Sequence, residues 1–172
     1  MMWKAVGICM IVLSCFGLGM IKSAEIQKRY RLLKEWERLI LLIRQEVSYN
    51  EPLPEAYRKV GSRARPPFDC FLKNLSDHLK VYGGKSFSEV FDEEISRCLS
   101  SSCLSKEDLL HISMMGEMAG FTDRQMQMEM LNRYGKELEI KLADLKEQLP
   151  GRQKLYRSLG FLGGVFLGIL LL

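Results

Sequence analysis

Two kinds of apolar pattern share this chain: long uncharged runs near its ends, and helical stripes between them. Ala5–Ile21, AVGICMIVLSCFGLGMI, carries no charge. With Trp3 at its edge, it approaches the ~20 residues that span a ~30 Å hydrocarbon core. Leu159–Leu172, LGFLGGVFLGILLL, is also uncharged, and is long enough to span if counted from Leu155 with Arg157 snorkelling its guanidinium to the headgroups. Between these runs Ile26, Tyr30, Leu33, Trp36, Ile40, Ile43 and Val47 recur in steps of three and four. That spacing predicts one amphipathic helix over 24–49. Asn50-Glu51-Pro52 should stop it, and Pro54 suits the first turn of a short helix over 55–60. Pro66-Pro67 should open a helix carrying Phe68, Phe71, Leu72, Leu75 and Leu79, closed by Gly83-Gly84.

Ser86 with Glu89 three residues on is a capping box for a helix through Val90, Phe91, Ile95 and Leu99. A serine-rich turn at 100–102 leads to Ser105, a cap for a helix over Leu109, Leu110 and Ile112. In the stretch MMGEMAGFTDRQ, Gly116 and Gly120 read as a helix end and a close helix–helix approach. Thr122 and Gln125 fit a capping box for the next helix. That last helix, about 26 residues and roughly 40 Å long, has the stripe Met128, Leu131, Tyr134, Leu138, Leu142, Leu145 and Leu149. Glu137 and Lys141 suit an i,i+4 pair on its polar side, and Pro150-Gly151 should break it. No segment alternates with period two. The prediction is an all-α antiparallel helical bundle over 24–150, flanked by membrane helices over 3–22 and 153–172.

Charge placement orients that arrangement. The 172 residues carry a net +4, yet all 21 acidic residues lie between Ser23 and Gly151, together with 20 of the 25 basic ones. Lys4, Lys22, Arg152, Lys154 and Arg157 make up the excess. A nucleic-acid binder would concentrate basic residues within its folded domain; here they flank apolar segments. Lys22, Lys28, Arg29, Arg31 and Lys34 follow the first run, against Lys4 alone before it. Positive residues stay cytoplasmic, so both termini point outward and the central domain is cytoplasmic in a two-pass cell-membrane protein. Cys70, Cys98 and Cys103 have no C-x-x-C spacing, as expected of reduced thiols. Val12–Cys15, VLSC, resembles a lipoprotein cleavage box, but the apolar run continues past the cysteine where a lipoprotein turns polar.

Little in the sequence supports catalysis or a cofactor. Gly116-Glu-Met-Ala-Gly120 lacks the lysine of a phosphate loop, and Glu117 would repel phosphate. His78 and His111 are far in sequence from any cysteine at zinc-ligand spacing. Glu137 and Glu139 have no base or metal beside them. Six of the ten methionines fall between Met114 and Met130. They are read as gap-filling core first, and as an adaptable docking surface or soft-metal site after that. Gly160, Gly164 and Gly168 recur every four residues, a spacing that lets another helix approach closely, from this chain or from another subunit.

QEVSYNEPLPEA at 45–56, the GEMAG turn and the closing KLYRSLGFLGGVFLGILLL together resemble the stage III sporulation protein AB family. That family in turn resembles the cytoplasmic domains of the type II secretion F protein, small helical bundles with a Gly-Glu-x-Ser-Gly motif between helices. Gly116, Glu117 and Gly120 match that motif, and Ala119 stands where the serine would be. The resemblance implies a non-enzymatic platform subunit, in the mother-cell membrane that engulfs the forespore, belonging to a secretion-like channel complex. It also implies as partners the secretion-ATPase-like subunit AA and other membrane subunits, with a homo-oligomer left open. The candidate docking residues are then Glu117, Asp123 and Arg124 at the joint and the run Asp92, Glu93 and Glu94. A membrane-anchored receptor or sensor with a helical signalling domain is the alternative; a membrane-tethered hydrolase lacks a catalytic constellation.

Overall fold

In the computed structural model the backbone is described for residues 2–80, 84, 86–119 and 124–170; the side chains of 2–9, 11–13, 15, 16, 117–119, 124, 167, 168 and 170 lie outside the description. The elements are α1 (Met2–Ser48), α2 (Leu53–Gly61), α3 (Phe68–Lys80), α4 (Phe87–Glu94) running into a π-helical turn (Ile95–Leu99), α5 (Lys106–Ala119) and α6 (Arg124–Leu170). There is no strand among the described residues. Two compact units divide the chain: Met1–Tyr30 with Ala143–Leu172, and Arg31–Leu142.

The Arg31–Leu142 unit is a helical bundle built on Trp36. Its buried indole stacks on Phe68 at 5.2 Å and meets the edge of Phe71 at 6.0 Å. Phe71 packs edge-on against Phe91 at 5.1 Å, Phe91 against Phe87 at 5.8 Å, and Phe87 on Tyr57 at 6.3 Å. Ring pairs at these separations add directional energy to area burial, and here they link α1, α2, α3 and α4. Of the predicted α1 stripe, Leu33, Trp36, Ile40, Ile43 and Val47 are buried, and Leu39 joins them. The face is wider than one stripe because α1 is covered by α3 on one side and α6 on the other. Leu131, Tyr134, Leu138 and Leu142 supply the α6 wall.

The local stop and start signals work as their chemistry requires. Asn50, at φ 69°, ends α1 in the left-handed region that asparagine tolerates. Its amide reaches the Val47 carbonyl, and the Glu51 amide reaches Glu46, the Schellman pattern. Ser86 and Glu89 form the reciprocal capping box that opens α4. Ser105 and Asp108 do the same for α5, with Asp108 in the Glu/Gln role. Glu35 accepts from Arg38 and from the Arg65 amide, while Arg38 donates to the Arg63 carbonyl. These bonds pin the α2–α3 connection to α1, and the Arg38 guanidinium holds the Glu35 carboxyl below its ordinary range.

Two expectations about α6 need correction. Pro150 does not break the helix, which runs unbroken from Arg124 to Leu170 with the proline inside. Proline costs one amide bond and crowds one carbonyl; around it Leu145, Gln148, Leu149 and Arg152 line a small cavity with Ile26, Arg29 and Tyr30 of α1. Glu137 does not pair with Lys141. Lys141 instead reaches the fully buried Asp108 of α5 at 3.0 Å, and Glu137 pairs with Arg133 at 3.1 Å. A buried carboxylate needs a cation more than an exposed one does.

In the other unit, the start of α1 and the end of α6 run antiparallel. A Cβ on Gly19 would lie 2.6 Å from the Tyr156 carbonyl oxygen and 3.4 Å from the Gly160 Cα. The glycine row of α6 therefore packs on this chain's own first helix at Gly160. Gly160 is half-buried, Gly164 is buried, and Gly168 lies outside the described side chains. Apolar Leu18, Leu162, Phe166 and Ile169 are exposed. No helix of the described residues is long and apolar enough to cross a membrane, and most side chains of 5–16 lie outside that description.

Candidate docking surface

Helix α4 carries the acidic run, and its amphipathic spacing sorts the three carboxylates. Val90 and Phe91 face the core, so Asp92 and Glu93 turn outward. Glu94 completes the helical turn back to the interior and is fully buried. Glu94 is thus withdrawn from the exposed run expected from the sequence. Its Oε2 accepts from Asn74 at 3.0 Å, and its Oε1 lies 3.1 Å from Arg97 and 3.7 Å from His78. Glu89, Asp92, Glu93, Ser96 and Arg97 line a shallow open depression. Asp92 is fixed from the neighbouring helix, since Ser113 of α5 donates to its Oδ1.

The joint expected at Gly116 is real in one half. Gly116 lies within α5, not at its end, and is buried against Phe91. A Cβ there would stand 2.6 Å from Phe91 Cγ and 2.8 Å from its Cβ, so the missing side chain is what lets α5 close on α4. The side chains of Glu117 and Arg124, and all of Gly120, Thr122 and Asp123, lie outside the described residues. Among the described side chains of the methionine-rich stretch, Met115 is buried, Met128 and Met130 are half-buried, and Met114 and Met126 are exposed.

Sequence reasoning missed a second polar cluster. Trp36 Nε1 donates to the Tyr134 hydroxyl at 2.9 Å, and that oxygen lies 3.2 Å from His111 Nδ1. Burial, then the charge of Lys141, lowers the His111 pKa below its ordinary value. His111 is therefore held neutral inside a hydrogen-bonded network. Four-residue spacing alone could not reveal it, because its members come from α1, α5 and α6. Among the described residues no group of three or more His, Cys, Asp or Glu side chains is arranged to hold a metal.

The family model of stage III sporulation protein AB matches residues 4–172. The chain belongs to the stage III sporulation protein AB family. Stage III sporulation protein AB of Bacillus subtilis (strain 168) is 24% identical over 172 residues, covering 99% of this chain and all of that protein. A solved structure of stage III sporulation protein AB superposes with a TM-score of 0.63 at 20% identity, over 71% of this chain and 96% of that one. Membership of the stage III sporulation protein AB family ties the chain to sporulation, and the superposition supports the helical-bundle fold. Its acidic α4 surface and its Gly116 contact are features of this chain's own residues.

Proposed function

We propose that this chain is a non-enzymatic platform subunit of a sporulation channel. In this reading the Arg31–Leu142 bundle faces the mother-cell cytoplasm and receives a secretion-ATPase-like subunit. The resemblance to the type II secretion F domain suggests that role, and family membership supports its sporulation setting. The observation that carries the docking surface is the outward pair Asp92 and Glu93, held on an α4 whose position is set by Phe91 against Gly116. A basic partner surface fits this patch, because complementary charge guides encounter and register. By their charge, Glu117, Asp123 and Arg124 are further docking candidates.

Anchoring by two membrane-spanning helices belongs to the same proposal. Its support is the pair of uncharged runs, the basic residues flanking them, and the exposed apolar side chains Leu162, Phe166 and Ile169. Such a surface is one that lipid would cover.

The test is co-purification of full-length protein with the ATPase-like subunit from detergent-solubilised sporulating cells. Reversing Asp92 and Glu93 together to lysine should reduce capture about tenfold, the equivalent of ~1.4 kcal/mol. Helical circular dichroism should stay unchanged, since both residues are exposed. Undiminished capture by a folded variant would discard this surface.

A further inference from the structure

Cys70 of α3 and Cys98 of the π-helical turn are 28 residues apart in sequence, yet their sulfurs lie 3.2 Å apart, with the Cys98 thiol donating to Cys70. Their surroundings are built, not incidental. Asn74 Nδ2 stands 3.6 Å from each sulfur and donates to the buried Glu94 carboxylate at 3.0 Å. Cys70 and Asn74 are four residues apart on α3, and Glu94 and Cys98 are four apart on the facing segment. Two i,i+4 pairs thus meet face to face. The π-helical turn, an element often found at functional sites, carries Cys98. The two sulfurs differ in access: Cys70 is exposed and Cys98 is half-buried. Burial and the hydrogen bond to Cys70 raise the Cys98 pKa, which keeps it a thiol at neutral pH.

We propose that Cys70 and Cys98 are a redox-sensitive dithiol that closes to a disulfide by exchange with a low-molecular-weight disulfide. Cys70 meets the reagent first. It gives its proton to solvent, and its thiolate attacks one sulfur of the reagent, breaking the reagent's S–S bond. A mixed disulfide forms on Cys70, and the first small thiolate leaves and takes up a proton. The Cys98 sulfur then attacks the Cys70 sulfur, and the second small thiolate leaves with the Cys98 proton. Two cysteine thiols are oxidised and one small disulfide is reduced to two thiols. The sulfurs must close by about 1.2 Å to reach a bond length near 2.05 Å. The product ties α3 to the turn that follows α4. A reducing compartment keeps such a pair as thiols, and the bond forms when that poise shifts. The dithiol does not depend on the docking reading.

The test uses full-length protein in mild detergent and oxidised glutathione as the probe. After quenching and alkylation, peptide mass spectrometry should show the Cys70 peptide joined to the Cys98 peptide. Alkylation should be lost at both positions together, stay intact at Cys103, and return at both after reduced glutathione is added. Cys98→Ser should trap glutathione on Cys70. If wild-type protein accumulates glutathione on Cys70 without the internal link, or links Cys70 between two chains, the proposal is overturned. The same holds if Cys103 is oxidised while Cys70 and Cys98 remain alkylatable.

Discussion

Tyr134 joins the α6 stripe to the only polar contact of Trp36 that the described residues provide. Its hydroxyl accepts the indole N–H and lies 3.2 Å from Nδ1 of the neutral His111 imidazole. Tyr134→Phe strands the buried indole N–H, a loss of about 1–3 kcal/mol; a lowered melting temperature in mild detergent would show it. Protonating His111 puts a half-buried cation near Lys141. Its folded pKa lies below the unfolded value of 6.5, so the unfolded chain binds the proton more readily in that window. The contribution is complete above pH 6.5 and is lost as pH falls through the folded pKa. Melting temperature should therefore decline on acidification below pH 6.5, and His111→Asn should flatten that decline. A wild-type slope retained in the variant would assign the effect to other groups.

At the scale of elements, two glycines decide how closely helices meet. Helix propensity alone favours alanine over an interior glycine by up to ~1 kcal/mol. At Gly116 the added Cβ would meet Phe91 at 2.6 Å, and overpacking of this kind costs roughly 1–3 kcal/mol. The clash wins, so Gly116→Ala should lower the melting temperature, and Phe91→Leu in the same chain should recover part of the loss. Gly19→Leu should destabilise the α1–α6 pair, because its side chain would enter the Tyr156 carbonyl. Gly163→Leu is the control, with open space around its Cβ position. Equal thermal stability of the two leucine variants would remove Gly19 from the packing argument. The sequence drew attention to Gly160 and Gly164 by their period, while Gly19 carried no such signal. Its importance comes from the helix that crosses it.

At the scale of the whole molecule, the stripe of α1, the capping box at Ser86 and the core aromatics were legible because each depends on residues a few positions apart. The acidic face of α4 was legible only in part. Asp92 and Glu93 are exposed as a charge run suggests, but Glu94 is buried, since consecutive helical positions point in different directions and the third turns inward. The methionine stretch misled for a related reason: composition names residues fit for a core without saying which face α5 and α6 present to it. By itself the sequence determined an all-helical chain, most helix starts and stops, and the family to which it belongs. Those are set by local hydrogen bonding and by the 3.6-residue period. Only the tertiary structure decided that Lys141 serves Asp108, that Pro150 stays within a helix, and that Cys70 meets Cys98. Each depends on which distant surface packs alongside, and packing brings together charges and sulfurs that no local spacing relates.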